Sequence, residues 1–153
     1  MFDQLNHHEY LQLLEIGETD DWKFRLVIAE AGVSESLGSP TVEEESNDAV
    51  SELLKDTKPI EVTDTSKRYE IIFNDYITYS VSNESYSTGG EDEVFEGKYA
   101  RVYTKSVFLE YVANSTFATE DFPGPFKHYG FCCLDHIVDV ASMEAPVVSI
   151  LNA

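Results

Sequence analysis

Short runs in which apolar and polar residues alternate constrain the fold of this chain most strongly. The clearest run extends from Trp22 to Ile28, where Trp, Phe, Leu and Ile occupy every second position. A second run, from Tyr99 to Tyr103, resumes the alternation later in the chain. A period of two is typical of a β-strand that buries one face and exposes the other. The sequence therefore predicts a domain built mainly on a sheet.

Further strands are expected between clusters of turn-forming residues. Residues 69–73 and 76–81 are rich in β-branched and aromatic residues and flank Asn74-Asp75, a pattern that predicts a hairpin. A single long strand bent at Asn74 is the alternative. Residues 127–134 and 137–141 predict two more strands, which Asp135-His136 separates.

Three segments predict short helices. Residues 6–16 place most of their apolar side chains on one stripe, which favours an amphipathic helix. Residues 49–55 are long enough for one or two turns. Residues 107–114 show one apolar face, and Thr104 or Ser106 is available to cap the helix.

The chain has the size and the apolar content of one domain. It has 153 residues, of which 42% are hydrophobic and 12% aromatic. A chain of this length buries roughly 68–70% of its unfolded surface, which suits a single core. We expect one α+β domain over residues 1–153, mainly an antiparallel sheet with two or three short helices packed on one face. Residues 32–48 and 84–97 are expected to form acidic loops.

Acidic residues outnumber basic residues almost three to one, with 29 Asp and Glu against 10 Lys and Arg and a net charge of −19. Such a charge favours solubility and steers the chain toward basic molecules. It disfavours direct binding of nucleic acid and of anionic membranes, because the surface field has the wrong sign. The excess is local: residues 1–60 hold 14 acids and 4 bases, whereas residues 101–153 hold 6 acids and 3 bases.

No sequence motif identifies a reaction, a metal or a cofactor. The HxxxH, HExxH, CxxC and EF-hand spacings do not occur. Gly89-Gly90 is followed by acids instead of the Lys-Ser or Lys-Thr of a phosphate-binding loop. We therefore expect no catalytic residue, no bound metal and no cofactor.

A small Cys/His hydrolase is the enzymatic alternative. In an extended strand Cys132 and His136 share a face with their Cα atoms about 13 Å apart, so only a tight turn at Asp135 would bring them together. We favour a non-enzymatic protein. The residues available for the hydrolase are a thiol, an imidazole and an orienting acid: Cys132 or Cys133, His136 or His128, and Asp139.

The N-terminal residues lack the basic and apolar regions of a secretory signal, and no window has the roughly 18 consecutive apolar residues of a membrane helix. A cytoplasmic location is therefore expected.

The segment from Asp75 to Glu96 combines acids with aromatic residues, and tyrosine is favoured at the centres of protein interfaces. Complementary charge raises association rates above the neutral value of about 10⁵–10⁶ M⁻¹s⁻¹. We predict that this segment binds a basic protein. The predicted partner-binding residues are Asp75, Tyr76, Tyr79, Glu84, Tyr86, Glu91, Asp92, Glu93, Phe95 and Glu96.

Residues 69–81 (YEIIFNDYITYSV), 83–86 (NESY) and 136–140 (HIVDV) resemble small acidic bacterial proteins that serve as immunity proteins of polymorphic toxin systems. The resemblance implies a non-enzymatic α+β protein that blocks a cognate toxin, for example a nuclease, and it transfers no site residue. The alternative is a DNA-mimic or anti-restriction inhibitor, although the acids cluster in loops instead of repeating at phosphate-like spacing. We expect a monomer, or a weak homodimer formed through a sheet edge.

Overall fold

The computed structural model describes residues 1–33 and 59–152. The predicted helix over residues 49–55 and most of the predicted acidic loop over residues 32–48 lie outside the described residues. The prediction of one domain over residues 1–153 stays a prediction for the same reason.

The described chain forms two antiparallel sheets. The first has the strand order β1-β2-β4-β10, with β3 paired to β2, and the second has the order β5-β9-β8-β7-β6. The elements in chain order are a 3-10 helix (Phe2–His7), β1 (Tyr10–Glu18), β2 (Phe24–Val33), β3 (Ile60–Glu61), β4 (Arg68–Phe73), β5 (Tyr76–Asn83), a second 3-10 helix (Glu84–Tyr86), β6 (Val94–Glu96), β7 (Ala100–Lys105), α1 (Val107–Ser115), β8 (Lys127–Cys132), β9 (His136–Ser142) and β10 (Val147–Ile150).

The hydrophobic core joins residues of both sheets into one cluster. Strand β2 contributes Phe24, Leu26 and Ile28, which confirms most of the strand predicted from Trp22 to Ile28. Trp22 itself precedes the strand and is 78% exposed, so its predicted place on the buried face is wrong. Phe73 of β4 meets Phe131 of β8 edge to face, with ring centroids 6.1 Å apart. Side chains alternate across each strand, so the other residues of β7, β8 and β9 point away from this core. That outer face of the second sheet carries the cavity described below.

The predicted helix over residues 6–16 is wrong. The first 3-10 helix ends at His7, and β1 pairs antiparallel with β2. A β-bulge shifts the register between Leu13 and Glu15, so apolar residues on either side of it lose the period of two. Leu11, Leu13, Leu14 and Ile16 consequently imitate the spacing of a helical stripe, although Leu14 and Ile16 are exposed.

The predicted hairpin at Asn74-Asp75 is also wrong. Strand β4 pairs with β2 and β10, whereas β5 pairs with β9, so the chain passes from one sheet to the other at this point. The alternative of a strand bent at Asn74 describes the backbone better. Residues 129–137, by contrast, do form a hairpin, because β8 pairs directly with β9.

The structure confirms a mainly antiparallel sheet but not two or three short helices. Among the described residues there is one α-helix, α1, together with two 3-10 helices. Ser106 caps α1, since its Oγ accepts a hydrogen bond from the backbone N–H of Leu109 at 3.0 Å. No helix within residues 1–33 and 59–152 has the length and apolar character needed to cross a membrane.

Candidate functional site

The acidic segment, residues 84–96, leads from β5 to β6, which are the two edge strands of the second sheet. It begins in a 3-10 turn, where Asn83 Oδ1 accepts the backbone N–H of Ser85 at 3.0 Å. Tyr86 ends that turn with 83% of its surface exposed. The turn therefore fixes the backbone beneath an aromatic side chain that makes almost no contact with the protein.

Glu93 attaches the acidic segment to α1. Its Oε2 accepts the N–H of Val107 at 3.0 Å, and its Oε1 accepts the N–H of Gly90 at 3.0 Å. A carboxylate is favourable here because the N-terminus of a helix carries partial positive charge. Both oxygens of Glu93 are thus occupied within the protein, although the sequence predicts a partner-binding role for this residue.

Phe95 lies on β6, and its ring contacts a cationic side chain. Its ring packs against Tyr103 with centroids 5.0 Å apart, and the guanidinium carbon of Arg101 lies 4.1 Å from its centroid. A cation over an aromatic face is attracted by the ring quadrupole. Phe95 remains exposed at its other side, so the same ring is available to a partner.

Tyr76 and Tyr79 occupy the opposite edge strand, β5. Tyr79 stacks on Phe24 with centroids 3.9 Å apart. Tyr76 donates a hydrogen bond from its hydroxyl to Glu18 of the first sheet, and this bond is the main reason why the pKa of Tyr76 is raised to about 12. Three strands separate β5 from Phe95 on β6, which corresponds to roughly 19 Å.

The structure therefore divides the predicted partner-binding residues into two groups. Asp75, Tyr76 and Tyr79 lie at or after the bend between the sheets. The other residues belong to the acidic segment, and only Glu93 among them is partly covered. The exposed members of that segment are Glu84, Tyr86, Glu91, Asp92, Phe95 and Glu96.

A cavity of about 500 Å³ lies between the acidic segment, α1 and the outer face of the second sheet. Arg101, Cys132 and Asp139 line it from the strands. Phe108 and Tyr111 line it from α1. Gly89, Gly90 and Glu93 contribute the side formed by the acidic segment.

A buried histidine connects α1 to the lining of this cavity. His128 Nδ1 lies 2.8 Å from Ser106 Oγ, and His128 Nε2 lies 2.6 Å from Asp139 Oδ1. A carboxylate only accepts hydrogen bonds, so Nε2 carries the hydrogen of that contact. The ring is stacked on Tyr103 with centroids 4.1 Å apart. His128 is thus fixed on both of its nitrogens and on one face.

The contacts join Ser106, His128 and Asp139 in the order of a catalytic triad, but the serine is not accessible to a substrate. Ser106 is 3% exposed and is not among the residues that line the cavity. Its Oγ also accepts the N–H of Leu109, as the cap of α1. A serine nucleophile must reach its substrate, so we interpret this triad as a support that holds the Asp139 carboxylate in place.

The thiols of the enzymatic alternative are not activated. Burial raises the pKa of Cys133 to about 12, and burial also raises the pKa of Cys132 despite the opposing effect of Arg101. Activated cysteines instead have a lowered pKa. Among the described residues no hydrogen bond joins either sulfur to a histidine ring, and the contact from Cys133 to His136 is a backbone one.

The sequence did not predict the contact between Ser106 and His128 or the position of Arg101 in the cavity. The first contact joins residues that are 22 positions apart in the chain. The second depends on strand register, since Arg101 pairs with Gly130 and Gly130 pairs with Asp139. The alternation within each strand indicates which residues share a face, but it does not indicate which residues of two distant strands lie opposite each other.

Searches of protein-family models, of curated protein sequences and of solved structures find no match to this chain. Within residues 1–33 and 59–152, no three histidine, cysteine or acidic side chains are grouped closely enough to hold a metal ion.

Proposed function

We propose that this chain is a non-enzymatic acidic protein that binds and neutralises a basic protein through its acidic segment, as an immunity protein blocks a bacterial toxin. The observation that carries the proposal is the exposure of Tyr86: its aromatic side chain is 83% exposed, on a capped turn within a run of exposed acids. The resemblance of residues 69–81, 83–86 and 136–140 to immunity proteins supports the class of partner.

The charge of the chain supports rapid association with such a partner. A net charge of −19 creates a negative potential that concentrates basic molecules near the surface. The few bases of the chain offset little of this potential, and some are already paired within the protein. Arg25, for example, binds Glu15 and Glu70 at 2.7 Å each. Arg101, a basic residue close to the acidic segment, places its guanidinium over the Phe95 ring.

The turn that holds Tyr86 supports durable binding. Because the backbone of residues 84–86 is already fixed by the Asn83 cap, less conformational entropy is lost when Tyr86 enters a partner pocket. Truncation of a tyrosine that is an interface hot spot costs about 2 kcal/mol or more, which corresponds to roughly thirtyfold in affinity. We therefore expect Tyr86→Ala to accelerate dissociation and the acid substitutions to slow association.

The test compares two variants that lose the same charge at different places. One carries Glu84→Gln, Glu91→Gln, Asp92→Asn and Glu96→Gln. The control carries Asp20→Asn, Asp21→Asn, Glu120→Gln and Asp121→Asn, which are also exposed. Each protein is immobilised and exposed to host lysate at low salt, and the captured basic protein is then purified for kinetic measurements and for an assay of its toxicity.

We expect the wild type and the control to capture one basic protein and to abolish its toxicity, with binding that weakens as salt increases. The segment variant should bind at least tenfold more weakly. Capture of no basic protein at low salt would contradict the proposal. Equal binding by the two variants would show that the acidic segment is not the interface.

A further inference from the structure

Arg101 is the positive charge of the cavity, and its orientation is fixed. Its Nε donates to the carbonyl of Lys98 at 3.0 Å, its Nη1 donates to the Tyr103 hydroxyl at 3.3 Å, and its plane lies over Phe95. A guanidinium has five N–H donors. Three of these donors are consequently left for another group.

No described carboxylate forms an ion pair with Arg101. The ion pairs within the described ranges involve His8, Arg25 and His128 as the bases. Glu93 lies in the same cavity, but both of its oxygens accept backbone N–H groups. A guanidinium that lines a cavity and forms no ion pair with a described carboxylate is positioned to bind an anionic group.

Asp139 is one of two negative charges in the same cavity; the other is Glu93, whose oxygens both accept backbone N–H groups. Oδ1 of Asp139 accepts from His128, and its Oδ2 makes no hydrogen bond with a described residue. Both Arg101 and Asp139 pair with Gly130, from opposite sides, which places their Cα atoms roughly 10 Å apart. The two charges therefore face one cavity without neutralising each other directly.

The remaining walls include apolar and aromatic side chains. Phe108 and Tyr111 line the cavity from α1, and Ile137 lines it from β9. The volume of about 500 Å³ falls in the range of roughly 300–1,000 Å³ that is typical of small-molecule sites. An aromatic or apolar group of a ligand thus has surfaces against which it can pack.

The global charge selects among ligands. A simple anion must approach against the field of a chain with charge −19, and a simple cation meets Arg101 inside the cavity. A zwitterion has no net charge and satisfies both groups. We propose that this cavity binds an α-amino acid with an aromatic side chain, with its carboxylate on Arg101, its ammonium on Asp139 and its ring against Phe108 and Tyr111.

This site goes beyond the proposed function and stands independently of it. The partner-binding proposal depends on exposed residues of the acidic segment. The charges and rings proposed to bind the amino acid belong instead to strand and helix residues, while the acidic segment only forms one side of the cavity. Free amino acids test the second without any protein partner, so failure of either proposal is distinguishable from failure of the other.

Three ligands that differ by one charged group provide the first test: L-tryptophan, tryptophanamide without the carboxylate, and indole-3-propionate without the ammonium. Isothermal titration of the full chain measures each affinity. We expect L-tryptophan to bind at least tenfold more tightly than either analogue, since each analogue loses one charge-assisted contact. Absence of L-tryptophan binding at millimolar concentration, or equal affinity for an analogue, would overturn the proposal.

Charge-matched variants provide the second test. Arg101→Gln and Asp139→Asn remove the two cavity charges, and Lys105→Gln and Glu110→Gln remove the same charges from exposed positions. Circular dichroism establishes that each variant is folded. The ligand series is measured on the wild type, so it tests the proposal even if a variant does not fold. We expect at least tenfold weaker L-tryptophan binding for the cavity variants and less than twofold for the controls. An equal loss in the controls would overturn the site.

Discussion

Asn6 binds the backbone of Ala100 as a neighbouring strand would. Its Oδ1 accepts the N–H of Ala100 at 2.8 Å, and its Nδ2 donates to the carbonyl of Ala100 at 3.1 Å. The same oxygen accepts the N–H groups of Tyr99 at 2.7 Å and of Lys98 at 3.0 Å. One side chain of the first 3-10 helix thus fixes the start of β7, the strand that carries Arg101 into the cavity.

Asn6→Ala should destabilise the fold by about 3 kcal/mol, because buried backbone groups that lose their partner cost about 1–3 kcal/mol. Asn6→Asp keeps the accepting oxygen and loses the Nδ2 donor, so a smaller loss is expected. Urea unfolding measures both. Asn114→Ala, at an exposed position of α1, is the control and should stay within about 0.5 kcal/mol. A similarly small effect of Asn6→Ala would contradict the role of Asn6.

Gly130→Ala should displace the aromatic ring that covers His128. A Cβ at this position would lie 2.8 Å from Cε2 of Tyr103, and Tyr103 stacks on His128. Overpacking of this kind costs about 1–3 kcal/mol. Thermal unfolding and near-ultraviolet circular dichroism report the loss. Gly17→Ala is the matched control, since a Cβ there has no atom within 4 Å; a Gly130 variant as stable as this control would argue against the close approach of Tyr103.

Ser106→Ala should cost about 1–3 kcal/mol, because it removes the cap of α1 and the hydroxyl that contacts His128. Ser115→Ala, at an exposed position of the same helix, should be close to neutral. The buried hydroxyl should also resist a serine-reactive fluorophosphonate, as detected by mass spectrometry of the intact protein. Covalent labelling of Ser106 would show that it is a reactive nucleophile and would revive the hydrolase alternative on a different residue.

Local patterns predicted the elements whose own residues carry a clear signal. Strands β2 and β7 contain an alternating run, β8 and β9 lie on either side of the turn-forming Asp135, and α1 has both a cap and an apolar face, so each was predicted from its own residues. Strand β1 was not predicted, because the bulge after Leu13 changes the period of the apolar residues within the strand. The bend at Asn74 was interpreted as a hairpin turn, because the same turn-forming residues occur whether the next strand pairs with the preceding strand or joins another sheet.

The candidate sites were less predictable than the fold. The acidic segment was predicted because the charge of a segment follows directly from its own residues. The cavity was not, because it depends on the pairing of Gly130 with both Arg101 and Asp139. Those contacts join residues of three strands, and the free energy that selects their register arises from packing across the whole sheet.

The stability of the fold should decrease above pH 9 because of Cys133. Burial raises the pKa of this thiol from an ordinary value of 9.0 to about 12. The neutral thiol therefore stabilises the folded state fully below pH 9, and this contribution is lost as the pH rises toward the folded value. The free energy of unfolding then decreases by up to about 1.4 kcal/mol per pH unit.

We expect the wild type to lose about 1.5 kcal/mol more than Cys133→Ala between pH 9 and pH 10.5, as measured by urea unfolding at each pH. The comparison isolates the thiol, because buried tyrosines with a raised pKa, such as Tyr103 and Tyr129, remain in both proteins. Burial also predicts slow alkylation of Cys133 at pH 8 in the folded state. Parallel pH profiles for the two proteins would show that Cys133 is not held in its neutral form by the core.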